Sequence, residues 1–250
     1  MRRRSIAALL MSAFLFCAAP EAGAQDRWRF DFENGAAISG YNDVRIPGDT
    51  GTRFSLVKDL SSGTAYFWRF RGDLRLSRKH VLSVLVAPLR ITSSGRFSQP
   101  VAFAGGTFAA GVPVNGRYVF NSYRLTWRWE FVRNDDWTVG AGLTVKVRDA
   151  LTRLESAGTT AEKTNVGVVP LVNFKVERRL GARVSLLIEG DALAAPQGRA
   201  EDIFAGILVR AGKQWSIKAG YRFLEGGADN NEVYTFALVH YVAAGVVVRF

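Results

Sequence analysis

The sequence has 250 residues, of which 48% are hydrophobic and 12% aromatic, and it carries a formal net charge of +11 at pH 7. A single cysteine excludes an intrachain disulfide, and two histidines leave few side chains for a metal site or for acid–base catalysis. Beyond residue 24 no run of 18 consecutive apolar residues occurs, so a transmembrane helix is not expected there.

The first predicted element is a signal peptide over residues 1–24. Three arginines follow Met1, residues 6–20 form a short apolar run, and Ala22-Gly23-Ala24 fits a cleavage site. The apolar run is short for a spanning helix, and Cys17 follows Phe16 without the small residue of a lipoprotein site. We therefore predict that the mature domain comprises residues 25–250 and contains no cysteine.

The mature chain alternates apolar and polar residues with period two, the signature of strands. In residues 66–76 the apolar face holds Tyr66, Trp68 and Phe70, and the other face holds charged residues. The same pattern, weaker in the third and eighth segments, predicts ten strands at 28–38, 66–76, 80–91, 123–131, 137–148, 166–177, 184–191, 202–210, 215–224 and 233–250.

The predicted connections alternate between short and long. The short links are 77–80, 133–136, 179–182 and 211–214. The longer ones, which hold most of the glycine and proline, are 39–63, 92–117, 149–164, 192–201 and 225–232. Short turns at one rim and long loops at the other are the layout of an antiparallel, up-and-down transmembrane β-barrel.

A soluble barrel or sandwich would also alternate, but with its apolar face turned inward. Tryptophan placement favours the membrane alternative, because five of the six tryptophans fall near the short-turn rim: Trp28, Trp127, Trp129, Trp137 and Trp215. A bilayer interface selects such rings, whereas a soluble core has no reason to gather them at one level.

The last predicted strand ends in an aromatic residue. Its alternating pattern runs through Tyr241, Val246, Val248 and Phe250. In this pattern, and in its repeated strands, the chain resembles bacterial outer-membrane β-barrel proteins as a general class, including small barrels of the OmpA and OmpW kind. The resemblance implies the outer membrane of a Gram-negative bacterium, a last strand that closes the barrel on the first, and recognition of the C-terminal pattern by the barrel-assembly machinery.

A transmembrane barrel must turn its charged faces inward, since Arg or Lys facing lipid at mid-bilayer costs about 2–4 kcal/mol. We therefore predict a lumen charge network of twelve basic and seven acidic residues. Its members are Arg29, Asp31, Glu33, Arg69, Arg71, Asp73, Arg75, Arg124, Arg128, Glu130, Lys146, Arg148, Lys175, Glu177, Glu189, Asp191, Arg210, Lys218 and Arg222.

Three functions remain open at this point. The network could fill a small structural or ligand-interacting barrel, or its surplus of cations could line a narrow anion-favouring channel that is porin-like. A lipid-modifying enzyme is the third alternative, but no catalytic group is nominated, because His80 is expected at a turn and His240 beside the lipid-facing band. The shortage of histidine also argues against an omptin-type protease, which is ten-stranded.

The predicted loops name no cofactor or metal. Residues 225–232 are interpreted as a tight polar loop and residues 195–202 as a solvated turn. The loop over 92–117 is apolar, aromatic and glycine-rich, so it could plug the mouth, add a strand above the membrane, or hold an apolar ligand or small solute. Basic side chains at the rims suit lipid phosphates and lipopolysaccharide, and no nucleic-acid partner is expected of an exported barrel.

Overall fold

A computed structural model describes residues 27–196 and 198–250. The predicted signal peptide, 1–24, lies outside these residues. The strands are β1 (Trp28–Arg45), β2 (Phe54–Ser55), β3 (Leu60–Ser62), β4 (Ala65–Arg75), β5 (His80–Ala87), β6 (Arg90–Arg96), β7 (Val101–Phe103), β8 (Gly106–Phe108), β9 (Pro113–Arg133), β10 (Trp137–Ser156), β11 (Thr159–Arg179), β12 (Val184–Ala195), β13 (Gly198–Arg210), β14 (Trp215–Asp229) and β15 (Tyr234–Arg249).

The strands close into an antiparallel ring with ten positions. Its order is β1, β4, β5 with β6, and then β9 to β15 in sequence, and β15 returns to β1. The closing pair extends from Arg29↔Arg249 to Arg45↔Tyr234, with one register shift between Ser39 and Tyr41. Trp28 and Phe250 exchange backbone hydrogen bonds of 3.0 and 2.9 Å. The prediction of an all-β, ten-stranded antiparallel barrel is confirmed.

The two faces of each strand have opposite chemistry, because successive side chains alternate across a strand. Many large apolar side chains are exposed on the outer face. Examples are Leu143, Val168 and Val242, which are 64%, 68% and 66% exposed. Such a belt is unfavourable in water and is the expected surface of a barrel in a bilayer. Together with the closed ring, the belt indicates contact with bilayer lipid.

Within residues 27–196 and 198–250, no helix is long and apolar enough to cross a membrane.

The short connections are confirmed, whereas three of the long loops are not loops. Residues 149–164 form a hairpin in which β10 and β11 stay paired to Ser156↔Thr159, joined by Ala157 and Gly158 with positive φ of 37° and 84°. This is the backbone of a tight hairpin turn. Residues 192–201 and 225–232 likewise belong mostly to paired strands. The alternation signal is lost there because beyond the membrane both faces of a hairpin can be polar.

The two remaining long connections fold together into what we call the outer cap, residues 46–64 and 97–112. Phe54 contacts Phe97 and Phe103 edge-on, with ring centroids 5.4 and 5.5 Å apart. These rings join Leu154 of β10 and other fully buried apolar side chains in one cluster. The predicted 92–117 loop therefore contributes extra strands, since β6 pairs with β9 and β7 pairs with β8.

Arg53 ties the outer cap to the barrel wall. It donates a 2.9 Å hydrogen bond to Asp43 of β1, and its guanidinium lies 4.6 Å from the ring centroid of Tyr234 in β15. The hydrogen bond to Asp43 raises the pKa of Arg53, so the guanidinium stays charged.

Candidate functional site

The inward faces at mid-height carry a buried ion-pair cluster. We define it by the side chains of Asp31, Glu33, Arg69, Arg71, Arg124, Glu189, Asp191, Asp202, Lys218 and Arg222, each buried in the barrel. Arg222 donates to both carboxylate oxygens of Glu33 at 2.7 and 2.9 Å and to Asp202 at 2.6 Å. Asp202 also accepts from Arg69 at 2.9 Å and from Arg124. One carboxylate thus joins β13 and its neighbour β14 to β4 and β9, which lie four positions away from β13 around the ring.

Lys218 is the second centre of the cluster. Its ammonium group lies 2.9 Å from Glu33, 2.9 Å from Glu189 and 3.2 Å from Asp31. A single ammonium can donate three hydrogen bonds, and here three carboxylates surround it. Buried charges are tolerated when they are paired in this way.

Further ion pairs continue toward the short-turn rim. Arg29 reaches Asp73 at 2.8 Å, Arg75 reaches Glu130 at 2.9 Å, and Lys175 reaches Glu177 at 3.0 Å. Arg128 shares Glu130 at 3.3 Å. The inner half of the lumen therefore holds cations and carboxylates in alternation.

Most residues of the predicted lumen charge network lie on the inward faces, buried or half-buried. Arg210 differs, because it is the last residue of β13 and its side chain is exposed. The interpretation of 195–202 as a solvated turn is wrong for Asp202, which lies inside β13 and is 1% exposed. The sequence hid its role because Asp202 is the first residue of the predicted strand 202–210 and also the last of the polar segment 195–202.

Apolar side chains fill the space between the charges. The ring of Phe204 lies 4.2 Å from the Lys218 ammonium and 5.3 Å from the Arg222 guanidinium, both cation–π distances. Phe67 packs edge-on against Tyr241 at 4.7 Å. Tyr241 thus points inward, while Val246 and Phe250 of the same C-terminal pattern are exposed on the outer face and Val248 is half-buried there.

A larger space, which we call the outer chamber, lies between this cluster and the outer cap. Its volume is about 380 Å³, within the usual range for ligand sites, and apolar side chains such as Tyr118, Phe120 and Leu224 supply much of its wall. The charged side chains at its wall are Lys146, Arg148, Lys163, Arg199 and Glu225. Four cations against one carboxylate give the chamber a positive potential.

Lys146 is the most unusual residue of the chamber. It is 3% exposed, and its ammonium lies 4.9 Å from the centroid of the Phe120 ring. Among residues 27–196 and 198–250 no carboxylate forms an ion pair with Lys146 and no acceptor hydrogen-bonds it, unlike Lys218 below it. A buried ammonium without an anion is costly, so this position favours an anionic guest.

Of the other four charged groups of the chamber, Arg148, Arg199 and Glu225 have hydrogen-bond partners. Arg199 donates two parallel hydrogen bonds of 2.8 Å to Glu225, and Tyr41 also donates to Glu225. Arg148 donates to Asn165. The sequence did not single out Tyr41, Asn165, Arg199 or Glu225 as partners, because all four lie outside the predicted strands.

The two histidines lie away from the chamber. His80 stacks on Trp127 at 5.6 Å, and the Nδ1 atom of His240 lies 2.5 Å from the hydroxyl of Tyr221 on the outer face. In the described ranges, no three His, Cys, Asp or Glu side chains are grouped as metal ligands would be. At the end of the 225–232 segment, which is otherwise part of β14, a tight turn forms in which Asn230 accepts from the N–H groups of Glu232 and Val233.

No protein-family model matches the chain, and no curated protein matches it. Solved structures do. The outer-membrane protease OmpT of Escherichia coli superposes with a TM-score of 0.57 at 8% identity, over 90% of this chain and 97% of that one. The transport unit of the autotransporter AIDA-I from Escherichia coli gives 0.49 at 9% identity, over 94% of each chain. The likeness to OmpT shows the fold, and with it the predicted class of outer-membrane β-barrels is confirmed.

Proposed function

We propose that this chain is an integral outer-membrane barrel that is sealed to solutes by its buried ion-pair cluster and binds an anionic ligand in its outer chamber. The proposal combines two features of the inward surface. One is the paired charge at mid-height, and the other is the unpaired Lys146 above it.

The observation that carries the proposal is the contrast in free volume along the lumen. Around Asp31, Arg71 and Lys218 the remaining void is about 10 Å³, and beside Phe67 and Arg124 it is again about 10 Å³. A void must offer roughly 10–15 Å³ to admit one water molecule. Voids of this size leave little room for a hydrated ion at this level, whereas the chamber above it offers about 380 Å³.

The position of the surplus cations favours a binding chamber over an anion channel. An anion pore is expected to expose rings of Arg or Lys along its constriction. Here the arginines at mid-height are neutralised by carboxylates, as Arg222 is by Glu33 and Asp202. Three cations at the chamber wall, Lys146, Arg148 and Lys163, form no carboxylate ion pair among the described residues.

The enzymatic alternative has less support from the chamber. The carboxylate at its wall, Glu225, is held by Arg199 and Tyr41 and therefore acts as an anchor for them. The histidines lie on the outer face or at a turn. Binding requires only what the chamber provides, an apolar wall and an uncompensated ammonium.

The test uses the refolded mature protein in a planar bilayer and, in parallel, in vesicles. Under a salt gradient we expect no discrete current steps. Naphthalene-2-sulfonate, an apolar anion, is expected to bind in calorimetry, and Lys146→Met should weaken its binding about tenfold, the loss of one charge-assisted contact. Lys213→Met, in an exposed turn, is the matched control. Anion-favouring steps in the wild-type protein would replace this proposal with the channel.

A further inference from the structure

The barrel wall is incomplete beside the outer chamber. Strand β11 pairs with β10 along its whole length, up to Ser156↔Thr159. Its pairing with β12 starts at Arg179↔Ser185 and ends at Val172↔Ala192, although β12 itself continues to Ala195. Residues 159–171 of β11 therefore have a strand on one side only, and the short β12–β13 hairpin stands across the gap from them.

Pro170 lies at the lower end of this gap. Proline has no N–H group to donate to a neighbouring strand, and in sheets it is confined to edges and bulges. Unpaired backbone at membrane depth is tolerated only where it lines a cavity or is covered by protein. The outer chamber is the cavity that this edge lines.

The chamber extends through the gap and does not stop at the inner surface of the wall. Val169 faces inward, whereas Val168 and Pro170 face outward on the same strand, yet all three border the chamber. Across the gap Leu193 and Ala195 border it from β12. A cavity that touches both faces of one strand must pass around the edge of that strand.

The two ends of this passage differ in polarity. Its outer end is apolar, with Val166 and Val168 exposed by 69% and 68%. Its inner end leads to the buried ammonium of Lys146 and the guanidinium of Arg148. A molecule that fits both ends has an apolar chain at one end and an anionic group at the other.

We propose that the gap between β11 and the β12–β13 hairpin is a lateral entrance from the bilayer, and that the ligand is a single-chain amphiphile with an anionic head, such as a long-chain carboxylate. The head binds at Lys146 and Arg148, and the acyl chain lies in the gap between Pro170 and Leu193. This inference rests on the proposed function, because it assigns a ligand class and a route to the same chamber.

The probe is dodecanoate with a photoreactive diazirine at its methyl end, partitioned into phosphatidylcholine vesicles that contain the mature protein. Irradiation followed by peptide mass spectrometry is expected to place cross-links in 166–172 and 192–195. Lys146→Met should reduce labelling about tenfold, whereas the same variant should label normally with the uncharged dodecanol analogue. Labelling spread evenly over the lipid-facing belt, or independent of Lys146, would overturn the ligand class.

The route is tested by closing the gap from the lipid side. Val166→Cys and Ala194→Cys place thiols on opposite sides of it, and neither residue borders the chamber. Bridging the two thiols with a bis-maleimide should slow labelling by dodecanoate at least about tenfold. As the control, each single-cysteine variant modified with a mono-maleimide should be labelled at the wild-type rate. Unchanged labelling after bridging would assign entry to the cap side of the chamber.

The sulfonate separates this inference from the proposed function. If naphthalene-2-sulfonate binds in a Lys146-dependent way while dodecanoate does not label the gap, the chamber remains an anion site and the proposal of an amphiphilic ligand is wrong. If neither probe binds and the bilayer conducts, both proposals are wrong.

Discussion

Arg71 and Glu189 meet across the full width of the barrel. The Nη1 atom of Arg71 lies 2.9 Å from Oε2 of Glu189, although their strands, β4 and β12, are five positions apart in a ring of ten. No pair of strands can be farther apart in this ring. The contact therefore exists only when the barrel is closed and its strands are in register. Its presence reports both barrel closure and strand register.

Breaking this pair should destabilise the barrel. Arg71→Met leaves the Glu189 carboxylate with Lys218 as its ion partner, and loss of one partner of a buried pair costs about 3–5 kcal/mol. Because Lys218 remains, we expect the free energy of unfolding to fall by the lower value, about 3 kcal/mol. Urea unfolding of the protein in vesicles, followed by tryptophan fluorescence, measures this change. Arg78→Met, exposed in a short turn, should change the free energy of unfolding by less than about 0.5 kcal/mol.

The double variant Arg71→Met with Glu189→Gln completes a cycle. Since it removes both charges, it should be more stable than the sum of the single effects predicts. Strict additivity of the two substitutions would mean that the side chains do not interact.

Removing two guanidinium groups should open the sealed level. Arg124→Ala with Arg222→Ala empties space around Asp202 and leaves that carboxylate, with Glu33, short of cations. We expect small current steps in a planar bilayer, and they should favour cations because the exposed groups are acidic. Arg222→Lys, which keeps the charge, is the control and should stay silent. A silent double variant that is correctly inserted would show that the arginines do not form the seal.

The outer cap should loosen without unfolding the barrel. Phe103 is 1% exposed and packs against Phe54, and replacing a buried phenylalanine by alanine costs about 3–5 kcal/mol. We expect that loss to fall on the cap, because β7 and β8, which carry Phe103 and Phe108, form a separate two-stranded sheet. Phe103→Ala should therefore make residues 97–112 sensitive to protease while the barrel still resists, and Thr107→Ala, exposed on the same hairpin, should not.

Much of the wall could be predicted from the sequence because period two is a local property. Trp127 and Arg128 fall on opposite faces wherever their strand lies, and the bilayer decides which face is which. The strand count followed from the same alternation. Where both faces are polar, as over 149–164, apolar and polar residues do not alternate. This paired hairpin was therefore predicted as a loop.

The site was less predictable, because its contacts depend on closure. Glu189 finds Arg71 and Lys218 only through the register of strands that are distant in sequence. The gap at Pro170 depends on the different lengths of two neighbouring hairpins, which no single segment encodes. The one local hint was Pro170 itself, a residue that rarely sits between two paired strands.

A charge on the outer face should be costly in a depth-dependent way. Leu143 is 64% exposed in the middle of the apolar belt, and Leu143→Arg is expected to lower the free energy of unfolding by about 2–4 kcal/mol. Val184→Arg, at the first residue of β12 near the short-turn rim, should cost about 0–1 kcal/mol. Equal costs at the two positions would contradict the membrane placement of the belt.

Phe250 allows stability and assembly to be separated. Its backbone exchanges hydrogen bonds with Trp28, while its ring is half exposed and meets Phe30 edge-on at 6.2 Å. Phe250→Ala keeps the backbone bonds, so refolding in vesicles should change the free energy of unfolding by about 1 kcal/mol or less.

If the C-terminal pattern is also read by the barrel-assembly machinery, the same substitution should greatly reduce the amount of folded protein in the outer membrane of cells. Phe131→Ala removes a similarly exposed ring near the end of β9 and leaves the C-terminus intact, so it should assemble normally. Heat-modifiable mobility on gels distinguishes folded from unfolded protein in both experiments. Normal assembly of Phe250→Ala would limit the role of this residue to closing the ring, where its backbone alone suffices.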